Sequence, residues 1–179
     1  MLTAPQPNVD EIRDNAAFEA LMWAFSRPGS VQALPEPGLD CLALALIDRE
    51  CRVFADTPHL SALVSRAGAS LVPAAEADHA FLSGHSRARE TLEALPAGSA
   101  LYPDDGATLI VAATIGEGAT LRLTGPGIET ETRISLGGLP EGFFALRDAR
   151  IRYPEGVDIA IVDGARLVAL PRSTRVEVL

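Results

Sequence analysis

ATLIVAATIGEGATLRLTGPGI, residues Ala107 to Ile128, is the stretch that decides the fold. Thr108 to Thr114 is an uncharged run of small and β-branched residues, which predicts a strand buried on both faces at the centre of a sheet. Gly116-Glu117-Gly118 then predicts a turn. From Ala119 to Thr124 the pattern changes: Ala119, Leu121 and Leu123 alternate with Thr120, Arg122 and Thr124, the signature of a strand with one apolar and one polar face. Gly125-Pro126-Gly127 ends it, since proline lacks a donor and glycine tolerates positive φ. The expectation is a central hairpin that holds Arg122 on a rigid strand.

Working outward, helices and strands alternate along the chain. Residues 1–8 read as a loose arm. Asp10 to Phe25 reads as a first helix with Ile12, Ala16, Leu21 and Phe25 on its core stripe, capped by Asn8 or Asp10 and stopped at Ser26-Arg27-Pro28-Gly29. Val31 to Leu34 reads as a short strand. Leu39 to Asp48 is a buried helix or strand, and its alanine and leucine favour helix. Arg52 to Ala55 is a strand, followed by a Thr57-capped helix from Pro58 to Arg66 that ends before Gly68. Ser70 to Val72 is a strand, Ala80 to Leu82 a weaker one, and Ser86 to Leu95 a helix closed by Pro96. Beyond the central stretch come a strand at Thr130 to Ile134, a break at Gly137-Gly138 and a helix from Pro140 to Arg150. A type I′ hairpin follows, with Val157 to Val162 and Arg166 to Leu170 joined at Asp163-Gly164. The last segment, Thr174 to Val178, is an edge strand or tail. The mixture predicts one α/β domain over residues 1–179, a sandwich with a mixed sheet.

Composition narrows the chemistry. With 179 residues and 47% hydrophobic content, the chain fills a core of its own. A formal net charge of −9 argues against nucleic acid or anionic membrane as partners. No apolar run reaches the ~20 residues that span a bilayer. The acidic, amphipathic N-terminus is unlike a signal peptide, and Cys41 and Cys51 fit reduced, buried thiols, so a cytoplasmic location is expected. All 15 basic residues are arginine. Without lysine there is no internal Schiff base with pyridoxal phosphate and no P-loop lysine, and arginine is the only fixed cation for anions.

Few motifs carry chemistry. The glycine pairs at 116–118 and 125–127 lack the strand-then-helix context of a dinucleotide loop and read as turns. His59, His79 and His85 have no zinc-ligand spacing, and surface positions are expected for His79 and His85, so no metal site is expected. Ser26, Ser83 and Ser173 lie outside any Gly-x-Ser-x-Gly elbow. Asp158 sits in an apolar strand and reads as the partner of Arg166, Arg172 or Arg175, with a site carboxylate as the alternative. The segment Leu170-Pro171-Arg172-Ser173-Thr174-Arg175-Val176-Glu177 gathers two arginines, two hydroxyls and a carboxylate, a donor set suited to phosphonate or phosphate oxygens, to a subunit interface, or to plain solvation. The candidate ligand or partner contacts are therefore Arg122, Thr124, Asp158, Arg172, Ser173, Thr174 and Glu177.

Five motifs in order carry a resemblance. They are Phe18 to Gly29 (FEALMWAFSRPG), Gly106 to Ile110 (GATLI), Leu121 to Ile128 (LRLTGPGI), Tyr153 to Asp158 (YPEGVD) and Ala169 to Glu177 (ALPRSTRVE). In these the chain resembles the PhnH family, one of the components of the bacterial phosphonate carbon–phosphorus lyase system. The resemblance implies a three-layer α/β/α fold similar to the large domain of pyridoxal-phosphate transferases, without that cofactor. It also implies a homodimer in isolation and a core complex with subunits G, I and J. That complex exchanges the adenine of ATP for an alkylphosphonate, giving a ribose 1-phosphonate 5-triphosphate. Magnesium-bound ATP is then a requirement of the complex, and an acidic, lysine-free chain is expected to be an accessory subunit, inactive alone, with a cofactor-free small-molecule enzyme acting alone or a pure assembly scaffold as the alternatives.

Overall fold

The computed structural model describes residues 6–179. Its helices are α1 (Val9–Ser26), α2 (Asp40–Leu46), α3 (Pro58–Ala67), α4 (Ala88–Ala94) and α5 (Phe143–Ala149). Its strands are β1 (Gln32–Ala33), β2 (Arg52–Ala55), β3 (Ser70–Leu71), β4 (His79–Leu82), β5 (Thr108–Ala112), β6 (Thr114–Thr124), β7 (Thr132–Gly137), β8 (Asp158–Asp163), β9 (Arg166–Leu170) and β10 (Arg175–Val178). Seven strands form a mixed sheet in the order β1-β9-β8-β5-β4-β2-β3, and three form an antiparallel sheet in the order β10-β6-β7. From β3 to β8 all neighbours are parallel, while β9 pairs antiparallel with both β8 and β1.

Strand alternation sends each core residue to one of two sides. Val53, Phe81, Ile110, Ala160, Val162, Leu167 and Ala169 meet α1, α2 and α3. Ala80, Leu82, Leu109, Val111, Ile159, Ile161, Val168 and Leu170 meet α4, α5 and the inner face of the small sheet, from Leu121, Leu123, Ile134 and Leu136. The expected sandwich is present, with one outer layer made of helix and sheet together. Successive crossovers leave adjacent strands for opposite faces: α3 follows β2 into the first cluster, and α4 follows β4 into the second.

The expected central hairpin is absent. β5 lies between β4 and β8 in the large sheet, whereas β6 starts two residues later and belongs to the small sheet. Burial pattern identifies both strands, but periodicity carries no information about which strand pairs with which. Gly116-Glu117-Gly118 is a bulge inside β6, where Ile115 and Ala119 both register with Leu136. Gly118 has φ +87, and a Cβ there would lie 2.5 Å from the Cα of Gly137, so bulge and neighbouring strand require glycine at this contact.

Other departures are local. The N-cap of α1 is Asn8, in a capping box with Glu11. The core face of α1 is Ala17, Ala20, Leu21 and Ala24, and Ile12 is 57% exposed, so the buried stripe is rotated from the expected one. β4, expected to be weak, is central, and His79 is its half-buried first residue rather than a surface one. Burial lowers the His79 imidazole pKa, and its Nδ1 has no partner. The β8–β9 turn is Gly164-Ala165, with positive φ at glycine alone, which rules out the expected type I′ geometry. α3 is as expected: Thr57 caps it and Gly68 closes it in the left-handed conformation. Gly127 also departs from a simple turn role. Its Cβ would collide with the carbonyl oxygen of Ser26, so the Gly125-Pro126-Gly127 turn abuts the end of α1.

Candidate functional site

The seven candidate residues fall into two groups. Asp158 begins β8 and Arg172 follows β9, so both lie where the parallel strands start. The Arg172 backbone N–H donates to Asp158 Oδ1 at 2.6 Å, and its Nε and Nη2 donate to Oδ2 at 3.0 and 2.7 Å. Nη1 reaches the Pro103 carbonyl at 2.5 Å and Nη2 the Gly106 carbonyl at 3.1 Å. Side-chain exposure is only 14% for Arg172 and 23% for Asp158. Of the three arginines considered for Asp158, the geometry selects Arg172. Its donors tie together the segment before β5, the start of β8 and the end of β9, which is a brace rather than an open anion clamp.

A second arginine grips the same turn from below. Arg147 of α5 is 1% exposed, and its Nη2 donates to the carbonyls of Pro171 at 2.7 Å and Thr174 at 3.1 Å. Burial pulls its pKa down to about 10, against the opposing charge of Asp158. The buried Thr174 hydroxyl and Arg147 Nε have no partner. Ser173 is half-buried on the rim of a cavity of about 320 Å³ that also exposes Asp148, Ile151 and Arg175. Arg147 gives no signal in the sequence, because one arginine on a short helix looks the same whether it faces solvent or core.

Arg122, Thr124 and Glu177 form the other group, on the outer face of the small sheet. Glu177 registers opposite Arg122, and Arg175 opposite Thr124. Arg122 Nε donates to Glu177 at 3.1 Å, and the same guanidinium pairs with that carboxylate through Nη2. Arg133 registers opposite Arg122 on β7, and Glu131 lies between the two guanidiniums, 3.0 Å from Arg133 and 3.9 Å from Arg122. Like charges directly opposite on a sheet disfavour pairing, so the acidic residues compensate. Arg122, Thr124, Arg175 and Glu177 border a shallow polar cavity of about 190 Å³. Arg122 and Arg172 line separate cavities, so a single pocket holding both does not form.

The histidines are separate. His59 pairs with Asp40 at 2.6 Å, His79 begins β4, and His85 lies against Gly138. Among the described residues no three His, Cys, Asp or Glu side chains group as metal ligands. Cys41 and Cys51 are free, and burial raises both thiol pKa values, away from thiolate reactivity. No helix among the described residues is long and apolar enough to cross a membrane.

Comparison with known proteins agrees with the motif order. The family model described as "Bacterial phosphonate metabolism protein (PhnH)" matches residues 9–177. A putative C-P lyase subunit protein HtxG of Stutzerimonas stutzeri is 35% identical over 172 residues, covering 92% of this chain and 86% of that protein. The alpha-D-ribose 1-methylphosphonate 5-triphosphate synthase subunit PhnH of Rhizobium meliloti (strain 1021) is 28% identical over 179 residues, covering 90% and 89%. The arginine brace, both core clusters and all of the small sheet but Val178 lie inside the matched span, and the chain belongs to the PhnH family of bacterial phosphonate metabolism proteins.

Proposed function

We propose that this chain is an accessory subunit of a carbon–phosphorus lyase core complex. In this role it supports formation of a ribose 1-phosphonate 5-triphosphate from ATP and an alkylphosphonate, with release of adenine. The observation that carries the proposal is the family match from residue 9 to residue 177, with relatives named as subunits of this machinery. Subunits G, I and J are the proposed partners, and magnesium-bound ATP is held at the level of the complex, not by this chain.

The arrangement of charge supports an accessory role. Displacement at an anomeric carbon needs acid help for the leaving base and cations around the triphosphate. Arg172 is committed to Asp158 and two carbonyls, Arg147 to carbonyls, and Arg122 to Glu177. A polyphosphate would have to displace those partners on a protein of net charge −9. The outer face of the small sheet is the better place for a subunit contact, because Arg122, Arg133, Arg175, Glu131 and Glu177 offer both signs of charge on fixed strands. Arg122→Ala should weaken association with the other subunits while leaving the thermal transition of the isolated chain nearly unchanged, because a solvated ion pair contributes little to stability.

Reconstitution tests the reading. This chain should co-purify with G, I and J, and synthase activity should appear only when it is added. Turnover of ATP and phosphonate by the isolated chain would overturn the accessory role. The same chromatography reads out whether the isolated chain pairs with itself and whether that pair survives in the complex. The proposed kinship with pyridoxal-phosphate transferases is tested by superposing an experimental structure on their large domains.

A further inference from the structure

The carboxyl ends of the parallel strands hold a feature that the phosphonate reading does not use. β2 and β4 are neighbours, yet the helices that follow them cover opposite faces of the sheet. Their ends therefore diverge, and in open α/β sheets ligands bind in the crevice such a reversal leaves. A cavity of about 190 Å³ lies at this crevice, between the start of α2, the start of α3 and the ends of β4 and β5. One wall is aliphatic, from Leu39, Leu60 and Ala112, and the other carries Asp40, Thr57, His59 and Ser83.

The polar wall is organised. His59 Nε2 lies 2.6 Å from Asp40 Oδ2. In the neutral tautomer that donates this proton to Asp40, Nδ1 is left as an acceptor. Asp56, just past β2, accepts from the Ser83 backbone N–H at 3.0 Å and from the Ser83 hydroxyl at 3.2 Å. The Ser83 proton is thereby spent on Asp56, and its oxygen lone pairs remain available. Thr57 Oγ1 accepts the Leu60 N–H at 3.3 Å, which leaves its own proton free to donate. With His59 neutral, the side chains of the wall offer three acceptors, Asp40 Oδ1, His59 Nδ1 and Ser83 Oγ, against one donor, Thr57, beside the backbone N–H groups that begin α2 and α3.

We propose that this crevice is a binding site for a small neutral polyol, of the size and hydroxyl pattern of a single pentose ring. An acceptor-rich wall selects a ligand rich in hydroxyl donors. No arginine lines the cavity, and the carboxylates of Asp40 and Asp56 offset the positive ends of α2 and α3, so a phosphate or phosphonate group finds no counter-charge there. The aliphatic wall receives the carbon face of a ring and disfavours an ammonium ion, which would be desolvated against it. The volume is below the ~300 Å³ at which pockets begin to take drug-sized ligands, so a whole nucleotide does not fit inside. The site does not depend on the accessory role and would exist in the free chain.

The test uses the full-length chain and three probes, D-ribose, ethanolamine and inorganic phosphate, followed by NMR at the His59 ring and the Ser83 amide. Ribose should shift both saturably in the millimolar range, and the other two should not. Asp40→Asn and Ser83→Ala should each weaken ribose binding about fivefold, the value of one hydrogen bond. Asp40 and Ser83 are accessible, so both variants fold, as their unchanged amide spectra elsewhere would confirm. No response to ribose, a stronger saturable response to ethanolamine or phosphate, or ribose binding unchanged in both variants would each overturn the proposal. None of these outcomes bears on co-purification, so this site and the accessory role succeed or fail separately.

Discussion

The two ends of the large sheet are built on opposite principles. Where the parallel strands start, three arginines are spent on the protein: Arg172 on Asp158, Pro103 and Gly106, Arg147 on the Pro171–Thr174 turn, and Arg52 on Asp78. Where they finish, side chains are exposed and hydrogen bonds run in short local pairs around an open crevice. A cluster of arginines and hydroxyls in a sequence resembles an anion site, yet here it is the brace. The sparse end, without a motif, retains unspent hydrogen-bonding capacity.

The largest test of this contrast is Arg172→Ala. It leaves a poorly solvated Asp158 unpaired and frees three chain segments, so urea denaturation should show a loss of about 3–5 kcal/mol. A loss below ~1 kcal/mol would mean that the bonds are ornamental. Arg147→Ala removes the donor to two carbonyls and opens a hole, and should cost about 2–3 kcal/mol in the same measurement.

A smaller effect is expected from acid. His79 stands at the starting edge with its imidazole pKa depressed by burial, and the charges of Asp78 and Asp48 only partly oppose that. The unfolded chain then takes up a proton before the folded one. Stability is complete above the unfolded value of about 6.5 and declines as pH falls below it toward the depressed folded value. His79→Leu should flatten that decline in denaturation curves at pH 7, 6 and 5. An unchanged slope would place the acid sensitivity elsewhere. The smallest effect belongs to the finishing edge, where Asp40→Asn and Ser83→Ala should each stay within about 0.5 kcal/mol of the parent.

Much of the fold is legible in the sequence because burial leaves a pattern. Two-face burial of Thr108 to Ala112 and one-face alternation from Ala119 to Thr124 both appear as expected, and the change between them marks the passage from one sheet to the other. Pairing partners are not legible, since β6 finds β7 and β10 through packing that no window of sequence contains. β4 reads as weak because four residues starting with a histidine give little periodicity. At the candidate site, sequence narrows Asp158 to three arginines but not to one, because turn geometry makes that choice. Asp40 and His59, 19 residues apart, meet only because α2 and α3 begin side by side.

The reach of Arg172 also sets an order of events. It closes on carbonyls 69 and 66 residues earlier in the chain. Until that late segment arrives, the beginnings of β5 and β8 are held by their backbone ladder alone, and the Asp158 carboxylate lacks its Arg172 counter-ion. Contacts of such long sequence separation form slowly, because the intervening chain must first be gathered in. The edge where the parallel strands begin is therefore finished by the tail, and a folding experiment should find this brace closing after the strand ladder it secures.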